Sequence, residues 1–439
     1  MLVPYDMNGQ IVGVLGLGGS GVAAVAALQA ASAHVVAFDD GKRQQDLPAI
    51  HMTDWREWPW QDMTAMVISP GIPHLHPEPH PAAAHANSLQ IEVISEVEIA
   101  LRAKPKAQLV VVTGTNGKST TTALIGHCLA TAGRAHAIGG NFGDPACSLD
   151  DPGKDGVLVL ELSSYQLETT PSLAPDISIL LNISPDHLDR HFGMNGYIEA
   201  KAVVLDRLGT DCLAIIGNGD EHVKTLAATT RTRGVKTMIA SPDAAPDAQR
   251  QSASLAGLHN AENAAAAAFA LAALGLDIAM VNRGVKGYTS LPHRLQTVAR
   301  CGKIQFVNDS KATNGVAAAK ALSAFDDIYW VAGGLAKQDG LAPAMQYLGA
   351  VKKAYLIGTA AAEFAKSLDG QCPAAICGDL EKATRAAFDD ASAASDGGTI
   401  LLAPAAASFD QFTSFGARGD AFAALAQNLC ATTAGGNHA

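Results

Sequence analysis

The sequence predicts an α/β protein of three successive domains. A Rossmann-like N-terminal domain is followed by a central phosphate-loop ATPase-type domain and a C-terminal Rossmann-like domain. Three observations carry this. Short apolar runs stop repeatedly at glycine or polar turns and then give way to Ala-rich amphipathic stretches, the pattern of parallel strands crossing over through helices. At 439 residues the chain exceeds one ordinary core. Its composition is 48% apolar but only 5% aromatic, so Ala, Val, Ile and Leu must build cores of helices packed on parallel sheets.

In chain order, Ile11 to Leu15 leads into Gly16-Leu-Gly18-Gly-Ser20-Gly21, an Ala-rich helix, and a second strand from His34 to Phe38 ending at Asp39. Strand, glycine turn, helix, strand and acid follow the order of a βαβ dinucleotide unit. The turn alone also suits any diphosphate, or a purely structural role. A strand from Ala65 to Ile68 ends in Ser69-Pro70-Gly71, a further turn at the same carboxyl edge. Residues 73–85 carry four prolines with His74, His76, His80 and His85, and read as a rigid irregular loop rather than a metal site. Residues 1–103 form the first expected domain.

The second, residues 104–291, opens on LVVVTGTNGKSTTT, from Leu109 to Thr122. Its glycines allow close backbone approach to an anion, and the helix that follows aims unpaired amides and its positive end at a phosphate. Lys118 adds a compact cation and Ser119 a hydroxyl able to ligate Mg²⁺. Val112 stands where the general phosphate loop has its first glycine, so the turn is a variant of that pattern. Downstream, Val157 to Glu161 and Ile177 to Asn182 are apolar strands, the latter followed by Asp186-His187-Leu-Asp189. Glu161 and His187 at these strand ends are placed to hold Mg²⁺ beside a triphosphate. The alternatives are a lysine pairing for Glu161 and a helix cap for His187. Lys201, on a helix from Tyr197 to Leu208, reads by itself as a solvated surface residue. His259 to Asn263 opens an Ala-rich helix. Residues 230–254 give only a weak pattern, a loop with a short strand.

The third domain, residues 292–439, follows Leu291-Pro-His-Arg294. Its strands Ile304 to Asn308, Ile328 to Ala332, Ala354 to Ile357 and Thr399 to Leu402 each end in a polar or glycine turn. The net charge of −11 argues against nucleic-acid binding. No charge-free run of about 18 apolar residues is present to insert in a membrane. With no signal peptide visible, a cytoplasmic location is expected, with reduced thiols at the seven scattered cysteines.

The series TGTNGKST, ELSSYQLE, NISPDHLDRH, GLHNAEN, LPHR, NDSKATN and PAAASFDQF, in this order and spanning nearly the whole chain, resembles the Mur ligases of peptidoglycan synthesis. NDSKATN and PAAASFDQF are similar to those of the members that accept D-glutamate. The resemblance implies ATP-driven amide synthesis through an acyl phosphate, with ATP and Mg²⁺ required. The small-molecule substrates would be UDP-N-acetylmuramoyl-L-alanine and D-glutamate, and the protein a monomer. It further implies ATP contacts from Gly114, Thr115, Asn116, Gly117, Lys118, Ser119, Thr120, Asn263, Arg294 and Asp309. Metal ligation falls to Ser119, Glu161, His187 and a carbamylated Lys201, and catalysis to Lys118, Asn141, His187 and Lys201. Gly16, Gly18, Ser20, Asp39 and Gly71 would hold the UDP moiety, and Lys311, Thr313, Lys337, Ser408 and Phe415 the D-glutamate. Two other readings remain open on the residues alone. One is a non-catalytic protein binding nucleotide and sugar nucleotide on the same domains, and the other a nicotinamide-dependent oxidoreductase using residues 11–39.

Overall fold

A computed structural model describes residues 1–41, 50–336 and 340–435. Among these residues the strands form three predominantly parallel sheets with helices packed against them, and a two-stranded antiparallel ladder, Leu335–Ala336 with Ala406–Ala407. The first sheet has four parallel strands in the order His34–Phe38, Ile11–Leu15, Met63–Ile68 and Glu92–Ile94. The second has six, in the order Lys236–Ala240, Leu213–Gly217, Ile177–Leu180, Gln108–Thr113, Val157–Glu161 and His136–Gly140. In the third, five parallel strands carry an antiparallel edge strand, Gln296–Cys301, paired with Ile304–Asn308.

The central strands are continuous apolar runs because helices cover both faces. Every residue of Val157–Glu161 is buried, as are five of the six in Gln108–Thr113. Ligand-facing turns therefore collect where such strands end, at their carboxyl edge.

By contact density the chain separates into two compact units. One comprises Met1–Gln251 with Ala261–Gly287 and holds the first two sheets. The other comprises Ser252–Asn260 and the chain from Tyr288 onward. Within the first unit, one apolar core runs from Val12 and Leu28 through Val97 to Val111 and Leu160, spanning both sheets. Polar bonds reinforce the junction around the helix Glu96–Arg102. The Ser95 amide donates to Thr169 O at 2.7 Å. Glu98 accepts from the Ser172 amide and hydroxyl, and Glu96 accepts from the Cys147 amide.

Several elements differ from the sequence reading. Pro81–Ser88 is a helix where an irregular loop was expected; proline is tolerated in its first turn, and the His80 ring accepts the Ala82 amide as its cap. The short strand expected somewhere in residues 230–254 is Lys236–Ala240, an edge strand of the second sheet. His136–Gly140 and Ala374–Gly378 are strands that carry little periodicity. Cys301 and Cys430 form a disulfide between the antiparallel edge strand and the C-terminal helix, against the expectation of reduced thiols.

Candidate functional site

The strand Gln108–Thr113 delivers the chain to a turn whose backbone only glycine adopts easily. Gly114 has φ +146° and Gly117 φ +88°. A Cβ on Gly117 would lie 2.3 Å from Asn263 Oδ1, so this glycine also lets Asn263 reach the loop. The neighbouring strand end pins the turn. The Thr115 amide donates to Asn182 O, the Asn116 amide donates to Asn182 Oδ1 at 2.9 Å, and Asn182 Nδ2 returns a bond to Asn116 O. Thr115 Oγ1 bonds Ser184 O and sits 3.1 Å from the Tyr197 hydroxyl. The helix Lys118–Thr131 starts here with Gly117 at its N-cap and no capping side chain, so its positive end faces the turn. Ser119 is buried and Thr120 half-buried in its first turn. Lys118 Nζ folds back on Gly114 O at 2.8 Å and Thr115 O at 2.9 Å, keeping the ammonium over the loop.

Lys201 is not the surface residue its context suggested. It is 1% exposed, donates to Gly114 O at 2.9 Å and lies 4.8 Å from the centroid of the Tyr197 ring. Burial first, and the nearby Lys118 charge second, hold its amine well below the usual lysine range, against the pull of Asp186 and Glu161. At the adjacent strand end Glu161 is buried. Its Oε1 accepts from Asn141 Nδ2 at 3.0 Å, and its Oε2 is buried without a partner. Asn141 approaches this closely because Gly140 has no side chain: a Cβ there would lie 2.5 Å from Glu161 O. His187 adopts a left-handed backbone, φ +55°, with its ring half exposed, 3.7 Å from Asp186 and 5.5 Å from the Tyr165 ring. Among the described residues no group of three or more His, Cys, Asp or Glu side chains comes together to hold a metal. A metal here would thus rely on Ser119, on His187, on Lys201 converted to a carboxylate-like group, and on the orphaned Glu161 oxygen. That donor set, mostly hard oxygens with an unsatisfied carboxylate, fits Mg²⁺.

On the first sheet, Gly16 has φ +87°, and a Cβ on Gly21 would meet Gly16 O at 1.9 Å, so the glycine turn packs tightly on its helix. Asp39 closes the turn, accepting from the Leu17 amide at 2.6 Å and the Gly41 amide at 2.9 Å. Gly18 caps the helix Gly19–Ala30, within which Ser20 lies, and Gly71 sits in the next turn, where Ser69 Oγ donates to Gly16 O.

In the second unit, Asp309 follows the strand Ile304–Asn308 and accepts from the Leu295 amide. Burial pushes its carboxyl up to about 7 even though the Arg294 charge pulls it down. The Lys311 ammonium stands 4.1 Å from the centroid of the Phe415 ring. Thr313 is half-buried, its amide donating to Lys311 O. Ser408 is buried, and its Oγ has no hydrogen-bond partner among the described residues. Lys337 lies outside the described residues.

Sequence reasoning passed over Asn182, Asp186 and Tyr197 in the first unit and Arg418 in the second. Arg418 is 1% exposed and bonds Ser310 Oγ and O, Ala406 O and Gly333 O, tying together the turns that carry Lys311 and Ser408. Its spacing of three from Phe415 on one helix was the available signal. Asn182 closes the NISPDH strand, where a polar side chain ending an apolar run could have flagged it.

Fold and loop together define a multidomain α/β protein with a glycine-turn phosphate loop. Residues 112–271 match the Mur ligase middle domain, and residues 293–406 the Mur ligase, glutamate ligase domain. The chain is 42% identical to a UDP-N-acetylmuramoylalanine–D-glutamate ligase of Caulobacter vibrioides, covering 100% of this chain and 99% of that one. It is 40% identical to the protein of the same name from Agrobacterium fabrum, covering 97% and 96%. Solved structures that share its fold include two of nearly full coverage. A UDP-N-acetylmuramate-alanine ligase from Thermotoga maritima has a TM-score of 0.58 at 17% identity, over 95% of this chain and 99% of that one. A pseudomurein peptide ligase type C from Methanothermus fervidus has 0.55 at 15%, over 96% and 100%. The chain belongs to the Mur ligase family.

Proposed function

We propose that the protein is an ATP-dependent ligase that joins D-glutamate to UDP-N-acetylmuramoyl-L-alanine in the synthesis of peptidoglycan precursors. The relatives named for that reaction support the substrate pair. The observation that carries the chemistry is a buried amine, Lys201, bonded to Gly114 O of the phosphate loop, together with the buried, half-satisfied carboxylate of Glu161 at the end of the neighbouring strand. The muramoyl-alanine carboxylate attacks the γ-phosphorus of ATP, ADP departs, and an acyl phosphate forms. The D-glutamate amine then attacks that carbonyl, loses a proton, and inorganic phosphate leaves.

Gly114, Thr115, Asn116, Gly117 and Thr120 cradle the phosphates, while Lys118 turns from the loop carbonyls toward the β and γ oxygens and neutralises charge as it develops. Asn263, Arg294 and Asp309 hold the nucleotide. Asn141, fixed by Glu161, presents its amide to the reacting groups. Gly16, Gly18, Ser20, Asp39 and Gly71 hold the UDP moiety. Lys311, Thr313, Lys337, Ser408 and Phe415 receive D-glutamate, whose carboxylates suit an ammonium and hydroxyl donors. Magnesium, when bound through Ser119, Glu161, His187 and carbamylated Lys201, supplies charge neutralisation to the transferring phosphoryl group. The lowered basicity of Lys201 favours the neutral amine that adds to CO₂, the nitrogen giving up a proton as the N–C bond forms. In this reading the chain is organised as domains 1–103 for the sugar nucleotide, 104–291 for ATP and 292–439 for the amino acid. Among the described residues no helix is long and apolar enough to cross a membrane. The proposed enzyme is a monomer that acts in the cytoplasm.

The test is ADP release with ATP, Mg²⁺, UDP-N-acetylmuramoyl-L-alanine and D-glutamate. Coupling dependent on both acceptor and donor is expected, with Lys118→Ala abolishing it. Phosphate production indifferent to either substrate would refute the reading.

A further inference from the structure

Within NISPDHLDRH, His187 is the proposed metal ligand and Arg190 has no role in the proposed function. It sits in the short turn Leu188–His191, its amide donating to His187 O at 3.0 Å. Its guanidinium reaches the first sheet, where Nη1 donates to Gly71 O and Nη2 to Ile72 O, each at 3.1 Å. The same guanidinium lies 4.4 Å from the centroid of the Tyr165 ring. Tyr165 is held in turn. His191 stacks on it at 5.2 Å and 11°, and bonds Ser164 Oγ at 2.9 Å and Glu168 Oε1 at 3.2 Å. The other oxygen of Glu168 faces His74, three residues after Gly71, at 3.9 Å. The His76 ring meets Phe192 with centroids 3.6 Å apart.

These contacts make a continuous path between two ligand turns. Gly16 O accepts Ser69 Oγ, the Ile72 amide donates to Ser69 O, and the Gly71 and Ile72 carbonyls accept Arg190, whose own backbone is bonded to His187. A planar fork that spans two consecutive carbonyls while stacked on an aromatic ring fixes orientation as well as distance; a lysine can do neither.

We propose that Arg190 is a positioning residue, which locks the sugar-nucleotide turn at Gly71 in register with the His187 loop so that the muramoyl carboxylate meets the γ-phosphate in line. This role rests on the reading of Gly71 as part of the sugar-nucleotide site. A carboxylate displaced by about 1 Å loses up to ~10²-fold in rate, because in-line attack tolerates little misalignment. ATP, held by the phosphate loop, should bind unchanged.

The experiment compares Arg190→Gln and Arg190→Lys with the unmodified enzyme, with kinetic constants normalised to folded protein and measured well below each melting point. Both variants are expected to lose about 10- to 100-fold in kcat, with KM for ATP within about threefold. Lysine should fail to restore the rate, since charge alone does not reproduce the fork. A kcat for Arg190→Gln within twofold of the unmodified enzyme overturns the proposal, as does full recovery by lysine. So does a defect confined to KM for the sugar nucleotide, which would mean ground-state binding only. Absence of ligation by the unmodified enzyme would instead remove the reading of the site and this role with it. Normal turnover beside unimpaired Arg190 variants refutes the positioning role alone.

Discussion

Replacing Glu96 by glutamine should make the protein's stability less dependent on pH, and the size of the change follows from one buried carboxyl. Glu96 begins the helix that joins the first two sheets, is 2% exposed, and has one oxygen bonded to the Cys147 amide and the other without a partner. Desolvation outweighs the Cys147 bonds and pushes its carboxyl up to about 7 from 4.5. The native state therefore binds more protons than the unfolded state between those values, and stability falls as pH rises from about 4.5 to about 7. At about 1.4 kcal/mol per pH unit, weighted by the two titration curves, the loss between pH 5 and pH 8 is about 2.5 kcal/mol. Glutamine carries no such term. Any fixed cost of its amide group cancels when ΔΔG at pH 8 is compared with ΔΔG at pH 5. Relative to the unmodified protein, Glu96→Gln should gain about 2.5 kcal/mol over that interval, or about 5–10 °C in relative melting temperature at the sensitivity typical of a large domain. Urea unfolding and thermal melts at the two pH values measure it. A ΔΔG that stays constant from pH 5 to pH 8 would show that the carboxyl is not held neutral by burial. Glu96 touches no proposed ligand group, so kcat should change little.

Other perturbations probe the site. Gly117→Ala forces a side chain into a left-handed conformation, costing about 1–2 kcal/mol, and pushes Asn263 from the loop; KM for ATP should rise at least tenfold, and an unchanged value would separate Asn263 from nucleotide binding. Lys201→Ala should inactivate the enzyme, short carboxylic acids should restore part of the rate, and carbon NMR of unmodified protein in labelled bicarbonate should show a carbamate. Absence of both signal and rescue would leave Lys201 a purely structural donor to Gly114. Ser408→Ala should raise KM for D-glutamate several-fold while sparing KM for ATP, because its buried hydroxyl has no partner among the described residues to lose; equal effects on both constants would place it outside the acceptor pocket.

Much of the architecture was legible because strand ends carry their own punctuation. The run from Leu109 to Val112 must be buried, the glycines at 114 and 117 must allow unusual backbone angles, and a helix must follow, whatever surrounds them. Local chemistry of that kind fixed the phosphate loop, the glycine turn at Gly16 and the helix Glu96–Arg102. Edge strands such as His136–Gly140 escaped notice, since pairing with a neighbour substitutes there for intrinsic periodicity.

The sequence by itself determined the order of strands and turns, the phosphate loop and the family, since each depends on neighbours in the chain. Only the tertiary structure decided that Lys201 is buried against Gly114, that Glu161 keeps an unsatisfied oxygen, and that Arg190 grips the Gly71 turn. Those facts arise from partners 87, 20 and 119 residues away in the chain. Desolvation and hydrogen-bond geometry are properties of what surrounds a side chain, and a linear string does not record its surroundings.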